Sequence, residues 1–246
     1  MQKPNYQKDY LAKIKKILSK DDDNLDLSQK MAEAVGGNFD SIGYLEARLL
    51  IEEKLRKTDT LIDVGCGSGR LATNLLDYLD EGKYIGLDVV PELHQYAKQL
   101  CAKSNFIFYD APGLTIPEPD NSADLICFFS VMTHLTHKES YLYIKEAKRV
   151  LKHQGKIIIS FLESIKPRHW KHFTHYVEDN SDTAVLNQFI ERDTFQMWCA
   201  LLNLKIDKIY DGGSNNVPID RPIDLNGTMY YNHAPLGQSV VVLSKI

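Results

Sequence analysis

The sequence has no Cys-x-x-Cys pair. Its four cysteines, Cys66, Cys101, Cys127 and Cys199, stand far apart. Neither a disulfide framework nor a zinc site is therefore expected, and the thiols suit a reducing compartment. Long apolar runs are also missing. The longest, around Leu125–Met132 and Ile157–Leu162, are strand-sized, against the roughly 20 residues that cross a bilayer. No membrane partner is expected. The opening Met-Gln-Lys-Pro-Asn-Tyr lacks the apolar core of a secretory signal, so the expected location is cytoplasmic. There is no basic excess either. With 29 Lys and Arg against 33 Asp and Glu, the formal net charge is −4. That argues against a general polyanion binder, and no nucleic-acid partner is expected. Repeats and low-complexity tracts are absent.

What is present is an ordinary globular composition, 43% hydrophobic and 25% charged over 246 residues. This suits one large α/β domain with a small lid. Tyr10–Leu18 carries apolar residues at helical spacing, and Asp21-Asp22-Asp23 breaks it. Asn38–Gly43 reads as a loop with a helix cap at Asp40 or Ser41, and Tyr44–Leu55 as a helix. From Thr60 strands and helices alternate. The strands are Thr60–Val64, Tyr84–Leu87, Phe106–Tyr109, Ala123–Phe129 and Lys156–Leu162. Between them, Arg70–Leu79, a segment opening at Pro91, and Lys138–Leu151 read as helices. Continuous apolar strands in βαβα order imply a doubly wound, mostly parallel sheet with helices on both faces. Asp193 with Gln196 is expected to cap a late helix. Leu204–Tyr210 and Ser239–Leu243 read as strands, and Asp211–Gln238 between them as a long polar loop without regular structure.

The chemistry concentrates in Asp63-Val-Gly65-Cys-Gly67-Ser-Gly69-Arg70, which follows a strand and opens a helix. Glycines let the backbone turn sharply and approach a ligand closely, and a helix N-terminus favours a negative group. Asp88, about 20 residues on, is placed to take ribose hydroxyls. The glycine spacing is GxGxG. A dinucleotide fingerprint reads GxGxxG, and Arg70 stands where its third glycine would be. The carboxylate of Asp63 suits a cationic ligand or an orienting role in the loop; a pyrophosphate site gains nothing from it.

These residues resemble the class I S-adenosylmethionine-dependent methyltransferases, in their small-molecule branch. Leu61–Arg70 resembles the family's first motif, Tyr84–Asp88 its second, and Tyr109-Asp110-Ala111 the segment that meets adenine. Ala123–Ser130, and Glu146–Gly155 with Lys156–Phe161, resemble its later units. The resemblance covers roughly residues 40–162 and the last strand. It implies a Rossmann-like seven-stranded sheet in the order 3-2-1-4-5-7-6, the last strand antiparallel. It also implies S-adenosyl-L-methionine as cofactor, S-adenosyl-L-homocysteine as product, and no metal. The implied cofactor-binding residues are Asp63, Gly65, Cys66, Gly67, Gly69, Arg70, Asp88, Val89, Asp110, Ala111 and Ser130. Residues 1–43 are expected to form an N-terminal helical cap. Residues 44–246 would form the catalytic domain, with lid insertions near 163–192 and 211–238.

The acceptor side is read from the segments after the later strands. Ser130-Val-Met-Thr-His134-Leu resembles a "SVFTHL" segment of the small-molecule branch, and His134 suits a general base on a hydroxyl. Phe128-Phe129-Ser130-Val131 stands where amide and nucleobase N-methyltransferases carry an Asn/Asp-Pro-Pro-Tyr/Phe motif. Basic, aromatic Lys166–His175 suits a lid over an anionic or planar substrate, with His169 and Trp170 as contacts. From the late loop, Tyr230, Tyr231 and His233 are candidate substrate contacts. The expected reaction is in-line methyl transfer to a small polar molecule, at a hydroxyl. Alternatives are a protein or RNA acceptor, a non-catalytic binding protein, and a dehydrogenase. The acceptor's identity and the oligomeric state are not readable from these residues.

Overall fold

A computed structural model of the chain describes residues 5–19, 26–36, 38–111, 113–178 and 186–246. The Asp21-Asp22-Asp23 break lies outside them. Three helices, α1 (Asn5–Leu18), α2 (Leu27–Ala34) and α3 (Phe39–Glu52), precede the first strand. The alternating region follows as β1 (Thr60–Val64), α4 (Arg70–Thr73), β2 (Lys83–Asp88), α5 (Pro91–Leu100), β3 (Phe106–Asp110), β4 (Ala123–Phe128), α6 (His137–Val150) and β5 (Leu151–Phe161). Then come α7 (Trp170–Glu178), α8 (Arg192–Leu202), β6 (Leu204–Tyr210) and four short strands: β7 (Val217–Pro218), β8 (Ile223–Leu225), β9 (Thr228–Tyr230) and β10 (His233–Ala234). The chain closes with β11 (Ser239–Lys245).

The seven-stranded sheet has the order β3-β2-β1-β4-β5-β11-β6. The inner pairs are parallel, and β11 runs antiparallel to both β5 and β6. The expected fold class and strand order are therefore observed. Side chains alternate across the sheet. Leu61, Ile158, Val240 and Val242 enter one core, while Ile62, Val64, Ile157, Ile159 and Val241 enter the other. Each such fully buried side chain contributes about 1.5–3 kcal/mol of transfer free energy. A third, smaller nucleus joins Ile14 and Ile17 of α1 with Met31 and Ala34 of α2 on Val90 and Leu93.

Several local expectations are corrected. Asn38–Gly43 is not a loop: α3 begins at Phe39, after Asn38 in the left-handed region without a side-chain cap. Gly43 serves close packing there, because a Cβ would strike the Arg70 carbonyl on α4. The segment after Arg70 is helical only to Thr73. Tighter turns then carry it on, with Leu75 N bonded to the Ala72 carbonyl and Tyr78 N to that of Leu75. Leu71, Leu75 and Leu79 are buried all the same. The cap of α8 is Glu191, not Asp193, and its carboxylate instead accepts from Ser164 N at 2.7 Å. The late segment 211–238 contains two antiparallel pairs, β7 with β10 and β8 with β9. Asn226 and Gly227, both at positive φ, form the two-residue turn between Leu225 and Thr228.

Candidate functional site

Beyond the carboxyl ends of β1, β2, β4 and β5 lies a cavity of about 470 Å³. Ligands of open α/β sheets bind at this edge. The loop after β1 forms one wall. Gly65 and Gly67 adopt φ of +79° and +54°, and an added Cβ would collide with the side chains of Val131 and Val35 respectively. Asp88, ending β2 and only 4% exposed, fixes this loop from below. Its Oδ2 accepts from Gly67 N at 2.8 Å and its Oδ1 from Val90 N at 2.9 Å. Burial pushes the Asp88 carboxyl up, and these backbone N–H groups oppose the shift.

Asp63 is buried at the end of β1. It accepts from the Tyr84 hydroxyl and, at 3.4 Å, from the Cys127 thiol. Burial raises its carboxyl to about 7, with Glu46 adding repulsion. Glu46 on α3 is buried as well and forms a two-point ion pair with Arg70, at 2.5 and 3.2 Å. The same guanidinium donates to the Val35 carbonyl at 2.9 Å, and Ser68 Oγ donates to the Met31 carbonyl at 2.9 Å. Thus α2 and α3 are tied to the glycine loop. Tyr10 of α1 completes this wall, and Lys13 lines the cavity nearer His134. Burial, then Asp88, holds the Tyr10 hydroxyl above its usual range.

Among the expected cofactor residues, Asp63, Gly65, Cys66, Gly67, Arg70, Asp88, Val89, Ala111 and Ser130 line the cavity. Gly69 and Asp110 stand outside its lining. Gly69 packs against Ala97 of α5. The Asp110 carboxylate is 73% exposed and pairs with His94 Nε2 at 2.8 Å.

The opposite wall is assembled from separate segments. Ser130 follows β4 at φ 59°, a conformation uncommon for a residue with a Cβ. Its amide donates to Ser160 Oγ at 2.7 Å; Ser160 donates to Gln238 Oε1 at 2.7 Å; and Gln238 Nε2 donates to Ser130 Oγ at 3.1 Å. This closed triangle joins β4, β5 and the start of β11. His134 lies in the short turn Met132–His134 and lines the cavity. Its Nδ1 donates to the Leu186 carbonyl at 2.8 Å, which leaves a lone pair on Nε2. Its ring packs against Tyr10 at 5.3 Å. Burial lowers its pKa below 6.5, so the imidazole is neutral at neutral pH.

The expected substrate contacts divide. His169 is buried and lines the cavity. Its Nδ1 accepts from Glu163 N at 2.9 Å and its Nε2 donates to the Gly237 carbonyl at 3.0 Å, so it ties the β5 end to the late segment. Trp170 is 53% exposed, bonds the Ser164 carbonyl, and stands outside the lining. Tyr230, Tyr231 and His233 also lie outside it. The reason is that the β8–β9 hairpin docks on α3: Ser41 Oγ donates to the Asp224 carbonyl at 3.0 Å and Tyr44 to Asp220 at 2.5 Å. Only Leu236, Gly237 and Gln238 of that segment reach the cavity. Sequence reading missed Tyr10, Glu46, Ser160 and Gln238, none of which lies in a contiguous motif with the glycine loop.

Residues 62–159 match a family model described as "Methyltransferase domain". This stretch, two-fifths of the chain, is thus similar to a methyltransferase domain. An uncharacterized methyltransferase of Schizosaccharomyces pombe is 31% identical over 110 residues, 41% of this chain and 39% of that protein. The 27-O-demethylrifamycin SV methyltransferase of Amycolatopsis mediterranei is 27% identical over 43% of this chain and 39% of its own length. The chain thus spans about two-fifths of the length of each of these two relatives. Among solved structures, a Leishmania major S-adenosylmethionine-dependent methyltransferase superposes with TM-score 0.64 at 16% identity, covering 97% of this chain and 83% of that one. The magnesium protoporphyrin IX methyltransferase of Synechocystis, solved with bound S-adenosylhomocysteine, gives TM-score 0.59 at 12% identity and covers 94% and 92%. These likenesses carry the methyltransferase fold.

The domain's cofactor fits the residues present. The glycine loop leaves room that any Cβ would fill. Of two buried carboxylates, Glu46 is paired with the guanidinium of Arg70, whereas Asp63 is held by the Tyr84 hydroxyl and the Cys127 thiol without a cation at ion-pair distance among the described residues. That donor set has an excess of negative charge suited to a cationic ligand.

Proposed function

We propose that the protein transfers a methyl group from S-adenosyl-L-methionine to a hydroxyl of a small polar molecule. The observation that carries this reading is His134: a neutral imidazole at the cavity, oriented through Nδ1, with its Nε2 lone pair left to accept a proton. When bound, S-adenosyl-L-methionine supplies an electrophilic methyl. The chain's own residues do the rest. Asp88 holds the glycine loop by two backbone N–H bonds and, with each oxygen's second lone pair, accepts from ribose hydroxyls. Asp63 and Glu46 complement the cationic methionine end. Val89 and Ala111 border the adenine side. The Ser130–Ser160–Gln238 triangle fixes the rim where the acceptor approaches. His134 takes the hydroxyl proton as the oxygen attacks, so orientation and proton removal are the protein's main contributions. Helices α1 and α2 act as a cap over the donor, and residues 168–172 with 236–238 frame the acceptor side. A relative that modifies a rifamycin oxygen, and a structural neighbour described as an O-methyltransferase, support oxygen as the accepting atom.

The test is isotope transfer from methyl-labelled S-adenosylmethionine to a panel of small hydroxylated compounds, with calorimetry against S-adenosylhomocysteine. Labelled small products with micromolar cofactor binding are expected. Label appearing only in added protein or RNA would overturn the acceptor class, and binding of NAD instead would overturn the donor.

A further inference from the structure

The cavity is electrically lopsided. Its carboxylates, Glu46, Asp63 and Asp88, all stand on α3 or at the ends of β1 and β2. Arg70 belongs to that side, where Glu46 and the Val35 carbonyl hold it. The remaining cations come from elsewhere: Arg168 from the turn after β5, Lys171 from α7, and Lys13 from α1. Lys13 stands close enough to His134 to oppose its protonation. Among the described residues none of the three has a carboxylate partner within ion-pair distance. Arg168 makes one bond of its own, from Nη1 to the Gly212 carbonyl at 3.1 Å, which steadies the guanidinium and leaves other N–H groups for a ligand. His172, beside them, is held below the usual histidine range by burial and then by Lys171.

A chain with net charge −4 thus places three cations without a carboxylate partner on the lining of one cavity, on elements other than those that carry its carboxylates. We propose that the methyl acceptor carries an anionic oxygen group, a carboxylate or a phosphate, seated on Arg168 and Lys171, with Lys13 facing it from α1. The proposal rests on the methyl-transfer reading and adds a substrate class to it. A guanidinium matches either group with two parallel N–H bonds. The two poles would order the reactants: cationic donor at the carboxylate end, anionic acceptor at the basic end, and the acceptor's hydroxyl between them at His134.

The test titrates benzoate, inorganic phosphate and neutral benzamide into the protein, with and without saturating S-adenosylhomocysteine, by calorimetry. One of the two anions is expected to bind clearly better than benzamide, and which one distinguishes carboxylate from phosphate. The paired substitutions Arg168→Gln and Lys171→Gln should weaken it by about tenfold or more. Lys171→Gln alone should weaken it less, and Lys205→Gln should leave it unchanged. Retained S-adenosylhomocysteine affinity in each variant reports an intact fold. Anion binding no better than benzamide, or equal in the paired variant, overturns the proposal. Failure of S-adenosylhomocysteine to bind the wild type strikes the donor reading instead, and the titrations without it keep the two apart.

Discussion

The two walls of the cavity are built by different means. The wall at β1 and β2 is mostly backbone: glycines at positive φ, held by Asp88 through main-chain N–H groups. The wall at β4 and β5 is side chains drawn from distant segments, with Ser160, Gln238 and the Leu186 carbonyl supporting Ser130 and His134. A backbone wall accepts one ligand shape. A side-chain wall can be rebuilt one residue at a time, which fits a constant donor and a variable acceptor.

The largest expected effect comes from His134→Ala. Loss of the base should lower kcat by about 10²–10⁴ while S-adenosylhomocysteine affinity stays within about twofold, since the hydrogen bond of His134 runs to Leu186 and not to the glycine loop. In the wild type, kcat/KM should rise with pH as the imidazole loses its proton, with a midpoint below that of an ordinary histidine because burial lowers that pKa; the variant should lack this limb. Equal losses in kcat and cofactor affinity would break the division between the walls. Asp88→Ala is the reciprocal experiment. Removing an acceptor that holds two backbone N–H groups should weaken S-adenosylhomocysteine binding by about 100-fold, or ~3 kcal/mol.

A third measurement sharpens the donor wall. Burial raises Asp63 from 3.8 to about 7. Between those values the folded protein keeps a proton that the unfolded chain has released, so this group makes stability fall as pH rises through the window. Cofactor binding has the opposite slope, because a cationic ligand favours the ionised carboxylate. Calorimetry should show affinity for S-adenosylmethionine rising by up to about tenfold per pH unit below about 7 and then levelling, and Asp63→Asn should flatten the curve. The smallest effect belongs to Gln238→Ala. It opens the triangle under Ser130 and should raise acceptor KM about threefold to tenfold, leaving cofactor affinity alone. Gln238→Glu, which keeps the acceptor atom but loses the donor to Ser130 Oγ, should fall between the two in steady-state kinetics.

The same contrast explains what could be read from the sequence. Asp63, Gly65, Gly67 and Asp88 lie in short contiguous motifs because a backbone wall is made from consecutive residues. The sheet order followed from strand type and from the resemblance. Gln238 was invisible because its role depends on register: β11 runs antiparallel and sets Ser239 opposite Phe161, which brings its neighbour Gln238 to Ser160. Asn38–Gly43 reads as loop from composition, whereas Gly43's lack of a Cβ serves the contact with α4. The Asn226-Gly227 dipeptide did carry a hairpin signal, masked by the polar composition around it. That hairpin takes Tyr230, Tyr231 and His233 away from the cavity.

The bonds from Ser68 and Arg70 to the carbonyls of Met31 and Val35 have a kinetic consequence. They clip the α1–α2 pair onto the glycine loop, and the pair's apolar side chains pack on Val90 and Leu93 in a nucleus apart from the two sheet cores. A swing of this unit would break those two bonds and that nucleus while leaving both sheet cores packed. If donor and spent S-adenosylhomocysteine pass by that route, turnover paced by the movement would slow as solvent viscosity rises, with the chemical step unchanged.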